Sequence, residues 1–190
     1  QDLLEAMVAT ATTDVGTVGA VPASGTIALS SARVGPIITS TITLTAARLT
    51  VADGAGSGSH GTDVLLTLPE GAVAILGSRQ NYTAFAEGGA LTGGAGDAVF
   101  EIGLGSTAIG SAANGTLGAT EDDIGTDVNV TLSGGTGTGT IITDGGSYNG
   151  TAAATTINLN WSGTAATIDA NSTIDVTGTI TIVWANLGDD

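Results

Sequence analysis

The chain has 190 residues, 42% of them hydrophobic, which suits a single domain with a core of its own. Three arginines and no lysine stand against 18 acidic residues, a formal charge of −15. Such a surface repels phosphate backbones and anionic lipid, which argues against nucleic-acid and membrane partners. The absence of cysteine removes disulfides and thiol chemistry.

The kind of apolar residue narrows the fold. There are two Trp, two Tyr, two Phe and one Met, so the core must be built from Ala, Val, Ile and Leu, as between two sheets. The 31 glycines fall between short apolar runs, where they suit turns, and they show no collagen-like period. No apolar run approaches the ~18 residues of a transmembrane helix.

Taken in chain order, the first element predicted is a short helix over residues 2–9, capped by Asp2, with Leu3, Leu4, Met7 and Val8 on one face. A helix this short needs a partner to stabilise it. Residues 10–36, rich in Ala, Thr, Gly and Val, read as an arm or as edge strands, ended by Gly35-Pro36. Residues 1–36 are therefore assigned to an N-terminal arm and residues 37–190 to the main domain.

From Ile37 the period is two. Ile38, Ser40, Ile42 and Leu44 alternate with Thr39, Thr41, Thr43 and Thr45, which places threonine along one strand face. Residues 53–61 read as an exposed Gly/Ser loop carrying His60. Val64–Leu68 is a strand stopped by Pro69-Glu70-Gly71, and Val73–Leu76 is a short run. A second Gly-rich loop follows at 86–97, a strand at Val99–Leu104, and an acidic loop at 120–127. Alternation returns at Val128–Leu132. A turn at 134–140 leads into Ile141-Ile142. Ile157, Leu159 and Trp161 mark another strand. The last strands run from Ile174 to Trp184, with Gly178 as a bulge, before a tail at 186–190. About eight short strands with regular turn signals predict an all-β fold, an antiparallel β-sandwich or jelly roll with a short N-terminal arm.

Residues able to do chemistry are few. His60 is the single histidine, without cysteine nearby for a zinc site, and a Ser-His-Asp triad would require a serine brought to it across the fold. An exposed loop histidine is the plainer reading. Without lysine there is no P-loop or Schiff base, and the Gly93–Gly96 and Gly103–Gly105 segments lack the helix of a dinucleotide fingerprint. Glu70, Glu87 and Glu101 are the glutamates that could each pair with an Asp as glycosidase carboxylates, with nothing in the spacing to favour it. The expectation is a chain that is not an enzyme and needs no cofactor. Glu121, Asp122, Asp123 and Asp127 form a weak calcium candidate, since calcium takes six to eight oxygens from close carboxylates and carbonyls. Their spacing is not that of an EF-hand, and a solvated acidic loop accounts for them.

Asn-x-Ser/Thr occurs at Asn81, Asn114, Asn129, Asn149, Asn160 and Asn171, six of the eight asparagines. With 45 Ser and Thr in the chain, chance gives about two. Strand alternation, which sets polar residues two apart on one face, supplies an explanation other than glycosylation.

The C-terminal half resembles a group of tailed-phage virion proteins encoded beside capsid genes. The matching pieces are Phe100-Glu101-Ile102-Gly103, Glu121-Asp122-Asp123-Ile124, Asp144-Gly145-Gly146-Ser147, Ile157-Asn158-Leu159-Asn160 and Val176 through Trp184, followed by Asn186-Leu187-Gly188-Asp189. The resemblance covers about half the chain and its motifs are degenerate. It implies a capsid decoration, or cement, protein on the outside of the virion, bound to the major capsid protein and self-associated as a homotrimer. Leu3, Leu4, Met7 and Val8 are then candidate anchors to the shell. Two other classes stay open: a secreted surface-layer, fibre or adhesin module, which would give the sequons a purpose, and a calcium-dependent carbohydrate-binding module.

Overall fold

The computed structural model describes residues 15–19, 24–53, 59–88, 99–110, 116–118, 120–131, 138–141, 147–149, 155–163 and 172–188. Among them every regular element is a strand. The strands are β1 (Thr17–Val18), β2 (Thr26–Val34), β3 (Ile37–Asp53), β4 (Ser59–Thr67), β5 (Ala72–Gly88), β6 (Val99–Gly105), β7 (Gly125–Thr131), β8 (Thr138–Ile141), β9 (Ser147–Asn149), β10 (Thr156–Gly163) and β11 (Ser172–Gly188). The predicted helix at 2–9 lies outside the described residues.

All pairings are antiparallel. One sheet, called A, runs β7-β6-β10-β4, with β1 and the last residues of β3 on the far side of β4. Sheet B runs β2-β3-β11-β5, with β8 and β9 along β5. The two pack face to face as a β-sandwich, and β3 serves both, since its end at Ala52-Asp53 pairs with Ser59-His60. The sheets take in residues ahead of Ile37. β2 lies along β3 from Thr26↔Thr45 to Val34↔Ile37, and β1 pairs with β4, so these parts of the expected arm belong to the body.

The alternation read from β3 is the inside–outside pattern. Ile38, Ile42 and Leu44 are buried against Trp184, Ile180 and Ile75, while Thr43 and Thr45 are exposed on the opposite face. Fully burying one such aliphatic side chain stabilises the fold by about 1.5–3 kcal/mol, so this repeated pattern is what selects the register. Trp184 from sheet B and Trp161 from sheet A are both in the core. The Trp184 indole N–H donates to Ser40 Oγ at 3.0 Å, and Ser40 meets Ser31 at 3.1 Å, which satisfies the polar atoms buried with it.

The irregularity expected at Gly178 is present, but the added residues are on its neighbours. Gly178 pairs with Leu44 and Val176 with Ala47, so β3 carries one residue more than β11 between them; β5 carries its own between Tyr82 and Ala84. Ala46 takes the strain at φ 45°, and its N–H donates to Thr177 Oγ1 at 3.0 Å. A Cβ on Gly178 would lie 2.5 Å from the Asn81 carbonyl oxygen, which is why glycine stands there. The extra residue turns Ala47 and Leu49 inward, and Arg48 meets Asp175 across the ladder.

β5 is far longer than the Val73–Leu76 run that announced it. Its inward residues Ser78, Gln80 and Tyr82 are polar, so hydrophobic alternation does not reveal them. Each finds a partner. Ser78 Oγ donates to the Ile124 carbonyl at 2.6 Å, Gln80 Nε2 to the Thr126 carbonyl at 3.0 Å, and Tyr82 Oη to Gln80 Oε1 at 2.5 Å. The first two bonds tie β5 of sheet B to the start of β7 in sheet A, on the side of the sandwich opposite the shared strand β3.

Candidate functional site

The two outer faces of the sandwich differ, and the difference follows from the sequence of each. On sheet A the outward residues of β10 are Asn158, Asn160 and Ser162, all buried, and Thr107, Ile109 and Glu121 fold across Asn160. Asn160 is the anchor. Its Oδ1 accepts from Ile109 N–H at 3.1 Å, and its Nδ2 donates to the carbonyls of Thr107 at 2.8 Å and Glu121 at 2.7 Å. Leu117 lies over Gly103 and Glu121 over Gly105; a Cβ at Gly105 would sit 2.4 Å from the Glu121 carbonyl. These two glycines therefore serve close packing under a loop. The glycosylation reading fails at Asn160, because its amide is buried and fully bonded.

The acidic segment is divided among several tasks. Glu121 Oε2 accepts from Gly118 N–H at 2.6 Å. Asp123 accepts from both the N–H and the hydroxyl of Ser106, each at 2.7 Å. Asp122 and Asp127 instead act on one another and on Glu101 of β6. Burial raises the affinity of Glu101 for its proton, the N–H of Leu117 opposes this at 2.9 Å, and the Asp127 and Asp122 charges reinforce it. Asp122 is shifted upward too, by burial first and then by Asp127. The four calcium candidates are thus not one constellation. Among the described residues no group of three or more histidine and carboxylate side chains is placed to hold a metal ion.

His60 is not on an exposed loop. It stands in β4, partly buried, directly opposite Ser162 of β10, which in turn stands opposite Glu101 of β6. The sheet therefore does bring a serine and a carboxylate into one row with the histidine. The order is wrong for a relay, however, because Ser162 lies between Glu101 and His60. Among the described residues His60 Nδ1, Thr62 Oγ1 and Ser162 Oγ find no hydrogen-bond partner, and His60 is not bonded to the serine. Of the remaining glutamates, Glu70 lies in the turn after β4 and Glu87 near the end of β5, on elements separate from β6. Asp63, on β4, is raised to about 6 by burial.

The outer face of sheet B has no cover among the described residues. It presents Thr39, Thr41 and Thr43 of β3 beside Val183, Thr181 and Thr179 of β11, with the small residues Ala28, Ser30 and Ala32 of β2 on one flank. Arg79 and Asn81 of β5 line the other flank. At one end Val34 (81% exposed), Ile37 (43%) and Leu187 (64%) form an apolar rim, held together by the Val34↔Ile37 pair and by the bond from Asn186 N–H to the Pro36 carbonyl at 3.1 Å. These exposures are far above those of the core, and they concentrate where the β2–β3 turn meets the end of β11. Sequence reading missed this rim, although Val34-Gly-Pro-Ile37 was in view, because a turn-flanking valine does not announce its exposure.

Charge separates the faces further. All three arginines are on sheet B, and its outward acid Asp175 is held by Arg48 in a two-bond pair at 2.8 and 2.9 Å. The pair holds the Asp175 carboxyl below the usual range through the hydrogen bond first. The outer face of sheet A, with the residues covering it, carries Glu101, Glu121, Asp122, Asp123 and Asp127, while Asp63 pairs with Leu159 on the core side of β4. The expected shell anchors Leu3, Leu4, Met7 and Val8 lie outside the described residues. Compared with known proteins, the chain matches no family model, no curated protein and no solved structure.

Proposed function

We propose that this chain is a capsid decoration, or cement, protein of a tailed phage, bound to the outside of the shell by contact with the major capsid protein. The observation that carries the reading is the way the resembling segments assemble. Phe100–Gly103 and Ile157–Asn160 are adjacent strands, and the Glu121–Ile124 turn is pinned onto them by Asn160. Three of the resembling segments, scattered in sequence, thus lie together on sheet A, while Val176–Trp184 belongs to β11 of sheet B. Further support comes from what the molecule offers: a sandwich with one nearly uncharged face, uncovered among the described residues, that suits contact with other protein, further copies of the chain included. A cement protein works by buried area across neighbouring subunits rather than by a reacting group. Residues 1–14, with Leu3, Leu4, Met7 and Val8, supply the shell anchor in this reading, and threefold sites on the shell favour a trimer.

The test is co-sedimentation of the purified chain with phage heads stripped of their decoration proteins. Binding that saturates at a fixed ratio to the capsid subunit, with heads made more resistant to heat, is the expected result. A chain that ignores stripped heads and instead carries glycan or forms open polymers belongs with the surface-layer and fibre proteins.

A further inference from the structure

We infer that the outer face of sheet B is the surface through which copies of this chain associate, with these faces turned inward and the acidic faces of sheet A turned outward. The inference stands apart from the shell reading, since it rests on the sandwich alone.

Three observations carry it. The first is electrostatic. Two copies each at −15 repel one another, so they can approach only through a face that is free of uncompensated acid. On the outer face of sheet B the described acid is Asp175, and Arg48 neutralises it, while Arg79 adds a positive charge. Apposing these faces also places the carboxylates around Glu101, Asp122 and Asp127 farthest apart. The second is chemical. The face is made of threonine, serine and alanine, with Val183 within it and Val34, Ile37 and Leu187 at its rim. Short branched and small side chains lose little rotamer freedom on contact, and the exposed rim supplies the apolar part. The third is size. Four strands spaced ~4.8 Å apart, over nine residues rising ~3.4 Å each, give a face of about 600 Å². Two such faces bury about 1,200 Å², the lower end of specific interfaces. Flat sheets facing one another also match how sheets pack in sandwiches.

The alternative is head-to-tail docking, in which the acidic face of one copy meets the arginines of the next. The two arrangements respond oppositely to salt. Face-to-face contact of sheet B is opposed by net repulsion and strengthens as salt screens it, whereas acidic-to-basic contact weakens.

The experiment is sedimentation equilibrium of the full chain in 0.05 M and 1 M salt. It compares the natural chain, the double variant Thr41→Glu/Thr181→Glu, and the double variant Asp122→Asn/Asp127→Asn, with circular dichroism and melting recorded for each (salt values of about these sizes straddle the Debye lengths of ~14 and ~3 Å). The expected result is a closed oligomer that tightens in high salt. It should persist in the asparagine variant and dissociate at least tenfold more readily in the glutamate variant, whose substitutions are on the solvent side but directly opposite one another, so association is read at a temperature where circular dichroism shows that variant folded. A chain that stays monomeric at all concentrations overturns the inference. So does an oligomer that the glutamate variant leaves whole, or one that salt and the asparagine variant both weaken. Shell binding by a monomer would leave the decoration reading standing while removing this one.

Discussion

Replacing Asn160 with alanine tests the account of sheet A most directly. The side chain makes three hydrogen bonds, to Ile109 N–H, the Thr107 carbonyl and the Glu121 carbonyl. Thr107 is exposed, so its carbonyl can bond to water after the change, but Ile109 is buried and its N–H would be stranded. A buried donor left unsatisfied costs about 1–3 kcal/mol, and a second lost bond at the half-buried Glu121 adds ~1 kcal/mol, so the loss should be about 3 kcal/mol. For a chain of this size each kcal/mol lowers Tm by roughly 2–4 °C, which gives a drop of about 6–12 °C. Amide hydrogen exchange locates the effect: Ile109 and Ile124 should lose protection first, while Ile42 and Ile180 in sheet B keep theirs. Asn160→Asp should be worse near neutral pH than in acid, because a carboxylate cannot donate to the two carbonyls and is buried beside Glu121. Unchanged protection of Ile109 together with a Tm shift under about 2 °C would refute the claim that Asn160 holds the covering segment.

Three further outcomes follow from the structure. Asp63 has a folded-state pKa of about 6, above its unfolded value, so the native state binds the extra proton between about pH 4 and 6 and stability falls as pH rises through that window. Asp63→Asn should flatten this part of the urea-midpoint profile and raise stability at pH 7 by about 1–2 kcal/mol, a figure reduced for solvent screening; a profile identical to that of the natural chain would contradict it. Gly61→Ala places a Cβ 2.2 Å from both the Thr50 carbonyl oxygen and Trp161 Nε1, and should cost about 2–3 kcal/mol with a shift in tryptophan emission, whereas Gly35→Ala meets nothing within 4 Å and is limited only by its φ of 61°. Ser78→Ala removes the hydroxyl that donates to the Ile124 carbonyl, one of the bonds between β5 and the start of β7; a loss of about 1 kcal/mol in denaturant unfolding is expected, and no loss would show that the bond contributes nothing to holding the sheets together.

Much of the sandwich was legible because one physical rule acts along each strand. Where one face is buried, apolar residues recur every second position, as at Ile38, Ile42 and Leu44 or at Ile174, Val176, Ile180 and Ile182. The same rule misled where burial is polar. Ser78, Gln80 and Tyr82 bond to partners some 46 positions away or to each other, so the apolar run ends at Leu76 while β5 continues to Gly88. It misled again at His60, where a run of Gly and Ser suggested a loop although the residue pairs with Ser162. The acidic residues at 121–127 were visible as a charge run, but their division was not, since it depends on Ser106, Gly118 and Glu101 being brought to them by the turn that Asn160 anchors.

Composition and period thus determined, without reference to any neighbour, that this chain is built of strands, that threonine lines an outward face, and that the molecule is strongly acidic. Those properties are local or additive, and no folding is needed to sum them. Which face is covered, which carboxylates crowd together, and where Val34, Ile37 and Leu187 meet were decided only by the tertiary structure. The reason is that each depends on contacts between residues as distant as Pro36 and Asn186, and pairing across such separations is set by the register of whole strands rather than by any one residue's preference.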